Sequence, residues 1–476
     1  MTTGVGTAHA APPSIVVTDL TQTGTPTSLA ATLAGPGVAV SNVVATGDPA
    51  SMGTFANGQA ANLAVDAGVV LSTGRVTTPA NNTGCQNKGV EGPNTCTNET
   101  TSFGTPGDTD LSNLIGGTTT NDASELEFDF VPDSDTIALT YVFSSDEYQE
   151  YSNTQYNDVF AFYVNGTNCA VTSDAKPVSI NSINQVSGHH PELFRDNAAN
   201  QIGAEPDGFT VPLTCRASVN PGTKNHLKLA IADTSDSIYD TQVFLIKNGL
   251  SSTSGGKPAQ LTAAAPPDTT TITQPYSYTF TATGTPAPTF DVVAGALPPG
   301  LSLDSSTGVL SGTPTTIGAS TFVVRASNAG GSDYANLTLR THFTDTPDSA
   351  PFASDIYWLT DHGIATGFAD GSFKPTNAVT RQAFAAYLYR YDHGGTDAGP
   401  CATGTSTFND VPDTSQFCGD IQWLATTTPT AITTGFADGG FHPAATVTRQ
   451  AAAAYLHRYD TDFGPGGGGG GGTTAT

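Results

Sequence analysis

The densest chemistry in this 476-residue chain is acidic. Ser145-Asp146-Glu147-Tyr148, Asn157-Asp158 and Asp233-Thr234-Ser235-Asp236-Ser237-Ile238-Tyr239-Asp240 crowd carboxylates beside apolar runs, with few Lys or Arg nearby. Like charges so placed repel unless a cation sits between them. Calcium takes about 6–8 oxygens and accepts carboxylates from separate loops, and the spacing here is not that of an EF-hand. The residues therefore suggest a Ca2+ site drawn from Asp146, Glu147, Asp158, Asp233, Asp236 and Asp240. The alternative is a set of solvated acidic loops with turn-forming Asx residues.

A second candidate is basic. Arg381 follows Thr380 and Arg449 follows Thr448, each at the expected start of a helix. Free backbone N–H groups and the helix dipole favour an anion there, and a guanidinium adds bidentate recognition of carboxylate. Thr380, Arg381, Thr448 and Arg449 are the expected contacts to an anionic ligand; the alternative is that each Arg bonds a neighbouring Asp or a backbone carbonyl. Signals for catalysis are missing. His189-His190-Pro191-Glu192 lacks the i, i+4 histidine spacing of a zinc protease and reads as a loop. No G-x-S-x-G elbow, Walker loop or dinucleotide fingerprint occurs. Asp146 and Glu147 are adjacent on an expected strand, so they point to opposite faces and suit no glycosidase pair. The expectation is a chain that is not an enzyme.

The elements that must position these residues change along the chain. From 13 to 250, period-two stretches such as Leu126-Phe128-Phe130 and Ile137-Leu139-Tyr141-Phe143 alternate with turn clusters, which reads as all-β. A Ser/Gly-rich segment, 251–257, reads as a linker. From 258 to 342, Tyr276-Tyr278-Phe280 and Phe322-Val324 point to a small β-sandwich. After Phe343 the period becomes helical: Phe384, Tyr387, Leu388 and Tyr391 share one expected face, and Ala452, Tyr455, Leu456 and Tyr459 repeat it. The last third is an internal repeat, 343–395 and 401–462, in which Phe343, Asp345, Asp355, Ile356 and Trp358 recur as Phe408, Asp410, Asp420, Ile421 and Trp423. Each unit reads as a short helix N-capped by Asp355 or Asp420, a Gly-rich turn, and a second helix opened by Thr380 or Thr448. One such unit cannot bury its apolar face, so the two should pack together, with Trp358 and Trp423 expected as core anchors, the alternative being platforms for sugar rings. The Gly-rich tail, 463–476, should be disordered. Residues 1–12 carry Ala8-His9-Ala10, the form of a signal-peptidase site, with too few residues before it for a whole signal, so an apolar stretch encoded upstream is expected.

Three groups of motifs resemble known families. The segments Leu33 to Val38 running into Val40-Ser41, Gly68 to Gly74, Phe143 to Phe162 and Leu227 to Phe244 resemble the choice-of-anchor L domain, a β-rich extracellular family named for its varied C-terminal attachment signals. Gly284-Thr285-Pro286-Ala287-Pro288, Leu297-Pro298-Pro299-Gly300-Leu301 and Thr307 to Pro314 resemble the He-PIG family of bacterial Ig-like domains, a widely used spacer. Gly363-Ile364-Ala365-Thr366-Gly367-Phe368-Ala369-Asp370-Gly371-Ser372-Phe373-Lys374-Pro375 and its copy ending Gly435 to Pro443, each followed by Thr-Arg, resemble the S-layer homology (SLH) family. That last resemblance implies non-covalent attachment to an anionic secondary polymer of the cell wall. The fold class expected is multidomain and mainly β: an N-terminal β-sandwich or jelly-roll-like domain, an Ig-like β-sandwich, then small α-helical SLH repeats.

Composition agrees. Sixteen basic against 42 acidic residues leave a net charge of −26, which repels nucleic acid and anionic membranes. No apolar run is long enough to span a bilayer. The six cysteines fall into local pairs, Cys85 with Cys96, Cys169 with Cys215 and Cys401 with Cys418, none in a CxxC arrangement, so disulfides in an oxidising compartment are expected with sequential pairing. The function expected is that of an exported, non-catalytic surface protein, structural or adhesive, whose partners are the wall polymer and an extracellular glycan or protein. The alternative is a calcium-dependent glycan-binding protein, with a secreted hydrolase behind it.

Overall fold

The structure is a computed structural model that describes residues 12–80, 82, 84–96, 99–252, 257–262, 266–426 and 431–463. The side chains of 449, 450, 453 and 460–463 lie outside that description, as do the tail from 464 onward and residues 1–11, so the expectations for both termini fall beyond it.

The N-terminal domain is a sandwich of two sheets. The larger runs Val16–Asp19, Met52–Ala56, Gly68–Ser72, Thr241–Ile246, Thr136–Ser145, Gly208–Thr210 and Phe194–Asp196 in spatial order, with Leu213–Ser218 also on Thr136–Ser145. The smaller runs Val38–Thr46, Thr120–Pro132, Asn225–Thr234, Val159–Val164 and Thr167–Asn168, with Val178–Ser179 on Val159–Val164. Alternation does what its period implies: Leu126, Phe128 and Phe130 from one sheet meet Ile137, Leu139, Tyr141 and Phe143 from the other in a single core. Helix α1 (Pro26–Leu33) closes one edge with Leu29 and Leu33, and it starts where Thr25 and Ser28 form a capping box around Pro26 at the first position.

The outer face of the larger sheet is buried too. Val70, Val142, Phe209 and Phe244 pack under Leu63, Val65, Val76, Val90, Ile202 and Ala204, which come from long loops. That is why Gly68–Ser72 is buried at every position, where a strand solvated on one side would alternate. The loop layer includes the Cys85–Cys96 disulfide, while the short helix α2 (Thr109–Leu114) covers the smaller sheet, where Leu111 packs on Ala123, Val159, Ala161, Ala230 and Ala232. Cys169–Cys215 ties the smaller sheet to the larger, and Cys401–Cys418 lies in the second repeat, so the cysteines pair in chain order.

The expected linker shortens at both ends. Ser251 and Ser252 belong to the first domain, where their N–H groups donate to Ala138 and Pro36 carbonyls, while Lys257 opens the strand Lys257–Leu261 of the next; 253–256 are outside the described residues. The middle domain is a β-sandwich around Phe280, Phe290, Leu310, Phe322, Val324 and Leu339. It abuts the head directly: Arg216 donates from Nη2 to the Ala259 and Ser332 carbonyls at 2.8 and 3.0 Å, and Val293, Ala294 and Val323 pack on Ala64 and Val211.

The C-terminal region is four helices, α3 (Ala353–Asp361), α4 (Arg381–Asp392), α5 (Cys418–Thr426) and α6 (Arg449–Phe463), paired by repeat. Thr380 caps α4 and Thr448 caps α6, each hydroxyl accepting from the N–H three residues on. Asp355 and Asp420 are not N-caps, because both first helices begin earlier. Phe352, in a left-handed conformation, precedes α3, and α5 starts at the disulfide-bonded Cys418, so each Asp lies in the first turn. The inward face of α4 is also displaced from the expected one: Arg381, Ala385 and Leu388 are buried while Tyr391 is exposed, since the small alanine side lets α5 approach closely. No described helix is long and apolar enough to cross a membrane.

Candidate functional site

Two sites concentrate charge. The first lies at one end of the head. Thr136–Ser145 and Thr241–Ile246 pair with Ser145 opposite Thr241, so Asp146, which follows the one, and Asp240, which precedes the other, leave the sheet side by side. The Asp146 N–H donates to the Asp240 carbonyl, and the Asp240 N–H to that of Glu99, which draws a long loop onto the strand ends. A second loop brings Glu205, whose N–H donates to Val90. From the smaller sheet come Asp233, near the end of Asn225–Thr234, and Asp158, which immediately precedes its partner strand Val159–Val164. All six expected acidic residues gather here, but their carboxylates are relieved in different ways.

Asp240 accepts two bonds from the Thr101 N–H, at 2.8 and 3.1 Å, and packs so tightly on Gly74 that any Cβ there would strike its carboxylate. Asp158 accepts from the Thr234 N–H at 2.8 Å and the Thr241 hydroxyl at 2.5 Å. Asp236 is half-buried at the rim and accepts from the Ile238 N–H. Asp233 and Glu147 are buried, and neither Asp233 oxygen nor Glu147 Oε2 receives a bond. Asp146 groups instead with Glu99 and Glu205, one ligand oxygen from each lying within 4.8 Å of the others. Glu205 Oε1 accepts from Lys88 Nζ at 2.7 Å and from the Cys96 N–H at 3.0 Å, whereas, among the described residues, Glu205 Oε2 and both oxygens of Glu99 and of Asp146 have no donor in hydrogen-bonding geometry.

Burial dominates the electrostatics. It pushes the carboxyls of Glu99, Asp146, Asp233 and Asp240 well above the usual carboxylate range, with the neighbouring acids adding to it. Glu147 is raised to about 10 by burial and then by Asp158 and Asp236. Asp158 reaches about 7, because burial outweighs the bonds from Thr241 and Thr234. Glu99 stands alone in a polar loop and Glu205 has only Asp207 beside it, so neither joins a dense acidic stretch, and only the folded loop layer brings them to Asp146.

The second site is the joint between the repeats. In each repeat one aspartate clamps the Gly-rich turn: Asp345 accepts from the N–H groups of Phe373 and Lys374, both at 2.8 Å, and Asp410 from those of Phe441 and His442, at 2.7 and 2.8 Å. Arg390 and Arg458 then donate to the Ile364 and Ile432 carbonyls at the start of those turns. Into the second turn goes Arg381 of the first repeat. It is 7% exposed, donates from Nε to the Phe441 carbonyl at 2.7 Å, and lies over the rings of Phe441 and Phe436 at 4.6 and 4.7 Å. The N–H groups of Arg381 and Gln382 donate to the Ala445 and Pro443 carbonyls. Thr380 and Arg381 are thus occupied within the protein, and the N–H groups expected to receive an anion at the start of α4 are spent on the second repeat. The Arg449 side chain is outside the described residues.

The two tryptophans part company. Trp423 is covered by Tyr389 and His393 of the first repeat, with ring centroids 5.5 and 5.4 Å away. Trp358 is not the core anchor expected. Its ring meets His362 and Tyr391 of its own repeat, and it is 45% exposed beside Phe352, 77% exposed. With Arg340, Asp348, Tyr357 and Asp361 these two line an open groove of about 500 Å³ where the middle domain meets the first repeat.

A β-sandwich head, an Ig-like sandwich abutting it and a pair of interlocked helix-turn-helix units together define a modular surface protein. Its modules match known families in that order: residues 16–251 match the Choice-of-anchor L domain, 258–342 the Putative Ig domain, and 342–385 and 407–453 the S-layer homology domain. The chain is a choice-of-anchor L domain protein with an Ig-like domain and two SLH repeats, an exported cell-surface protein attached to the cell wall. SLH domains typically bind secondary polymers of the wall. No curated protein matches the chain. Among solved structures, a protein described as a putative alpha-galactosidase from Bacteroides fragilis NCTC 9343 is 26% identical over 18% of each chain, with a TM-score of 0.16. A chimeric titin Z1Z2 tandem is 12% identical over 46% of this chain and 90% of its own, with a TM-score of 0.19. The Ig1-2 module of the Drosophila receptor protein tyrosine phosphatase DLAR is 10% identical over 46% and 90%, with a TM-score of 0.17. Scores this low carry no argument about fold or function.

Proposed function

We propose that this chain is a non-catalytic structural or adhesive protein, displayed on the wall by SLH repeats that hold an anionic glycan polymer. The observation that carries the reading is the groove at the first repeat. Phe352 and Trp358 offer exposed aromatic faces, the kind of surface on which sugar rings stack; Arg340 beside them is paired with Asp361 at 3.0 Å, so the reading rests on the aromatic faces. Arg381 and Thr380 would act from behind, by fixing the second repeat on the first.

The test is sedimentation of the full-length chain with isolated cell walls. The chain pellets with intact walls, stays in solution with walls stripped of their anionic polymer, and leaves the walls with chaotrope but not with detergent. Trp358→Ala lowers the pelleted fraction several-fold. Retention on stripped walls, or none on intact ones, overturns the reading. In a calcium-dependent lectin whose ion ligates the sugar, the ion must be exposed; Glu99, Asp146 and Glu205 are sealed from solvent, which favours the non-lectin reading. A glycan array run with and without chelator separates the two.

A further inference from the structure

We infer that Glu99, Asp146 and Glu205 form a buried structural Ca2+ site that fastens two long loops to the end of the larger sheet. The inference goes beyond the wall-attachment reading and does not depend on it. Three observations carry it. Among the described residues, five carboxylate oxygens, both of Glu99, both of Asp146 and Oε2 of Glu205, accept no hydrogen bond of good geometry, on side chains that are 0, 1 and 0% exposed, with the Gln242 amide beside Asp146. A buried carboxylate left without donor or counter-ion is among the costliest arrangements a fold can hold, and three together need a common partner.

The spacing also fits. Calcium binds oxygen at about 2.3–2.6 Å, so ligand atoms on opposite sides of one ion stand about 4.6–5.2 Å apart, and ligand oxygens from the three residues lie within 4.8 Å of one another. The charge closes as well: three carboxylates and the Lys88 ammonium, 2.7 Å from Glu205, leave two negative charges for one divalent ion. Asp207 and Asp240 lie close enough to raise the local negative potential further. An all-oxygen, carboxylate-rich set with no imidazole or thiolate selects a hard cation, and burial that leaves little room for water selects calcium over magnesium, which dehydrates reluctantly.

The ion would hold what the backbone bonds only begin. The Glu99 carbonyl accepts from Asp240, the Glu205 N–H donates to Val90, and the Cys85–Cys96 disulfide closes the segment that carries Lys88.

The experiment strips the full-length chain with EGTA and titrates it with CaCl2 while following melting by calorimetry. Tryptophan fluorescence serves as an internal reference, because the chain's two tryptophans, Trp358 and Trp423, both lie in the repeats. Calcium at about 100 times its dissociation constant raises the head transition by about 5–10 °C and leaves the tryptophan-reported transition unmoved. Asp146→Asn and Glu99→Gln each lose the calcium-dependent shift, while Asp236→Asn, at the rim, keeps it. The proposal is overturned if the wild-type head melts alike in calcium and EGTA, or if Asp146→Asn keeps the shift. It is overturned equally if Asp146→Asn in EGTA melts above the wild type in calcium, as carboxyls with nothing between them would require. Should neither variant fold, hydrogen exchange on the wild type decides: calcium slows exchange at Glu99, Thr101 and Asp240, and unchanged rates there sink the site.

Discussion

The head and the repeats both bury charge, and they relieve it by opposite means. At the head's acidic end, Asp158 and Asp240 are met by N–H and hydroxyl donors, but Glu99, Asp146 and Asp233 are left with bare oxygens. At the repeat joint a single guanidinium is enclosed without an acidic partner among the described residues, held by a carbonyl and aromatic faces. The difference follows from the ions. A guanidinium is planar, weakly hydrated and attracted to the negative face of a ring, so protein alone can solvate it. A carboxylate is acceptor-only and finds relief in donors or in a cation. Burying an Arg therefore asks only for packing, whereas burying several acids asks for something from outside.

That contrast can be broken most forcefully at Arg381. Arg381→Ala removes a buried hydrogen bond and the stem that fills the second turn, and should destabilise the repeats by about 3–5 kcal/mol, read from tryptophan fluorescence in urea, with the head's calorimetric transition unchanged. If Arg381→Lys restored full stability, charge alone would matter and the aromatic account would fail, since an ammonium cannot lie flat between Phe436 and Phe441. Next in size is Asp410→Ala, which strips the donors' acceptor from the turn that receives Arg381 and should cost about 2–3 kcal/mol by the same readout.

An effect of similar size, reached by pH alone, separates the repeats from the head. Asp420 is buried in α5, accepts from the Ala398 N–H at 3.0 Å, and has its carboxyl raised to about 6, chiefly by burial. Its native pKa lies above its unfolded one, so the folded state holds the proton more tightly. Stability is therefore greatest below about pH 4, falls as pH rises through the window to about 6, and levels above it, a loss of about 2–3 kcal/mol. Asp420→Asn should flatten the fall in tryptophan-monitored stability; a slope identical to the wild type would assign it elsewhere. The smallest effect is at the first turn, where Lys374 lies over the exposed Phe368 ring at 4.2 Å. Lys374→Ala should produce no measurable shift in melting, which marks how far a surface cation–π contact falls short of the buried one.

What the sequence disclosed and what it withheld divide along the same line. Leu126-Phe128-Phe130 and the facing Ile137-Leu139-Tyr141-Phe143 were legible because a sheet with its core on one side imposes a period of two on neighbouring residues. The helical repeats and their Thr380 and Thr448 caps were legible for the same reason: cap and periodicity are local. Glu99 and Glu205 were not, since the loops that carry them obey no period and meet Asp146 only after folding. At Arg381 the structure takes the alternative the sequence left open, a bond to a backbone carbonyl. A helix start does bind anions in isolation, but here the carbonyls of Pro443 and Ala445 arrive first. Trp358 and Trp423 occupy matching positions in matching motifs and both meet the end of α4, Trp423 through Tyr389 and His393 and Trp358 through Tyr391, yet Trp358 stays 45% exposed, a difference no local pattern announces.

The pairing of Thr269–Thr271 with Arg340–His342 is parallel, and the second of these strands leads straight into the SLH repeats. Tension between a wall-held C terminus and a head held by its own contacts pulls this pair from opposite ends. Its hydrogen bonds are then loaded together, in shear, rather than opened one after another. A sandwich so connected behaves as a stiff strut up to a threshold force, and stretching the chain at constant velocity should show the middle domain yielding in a single high peak.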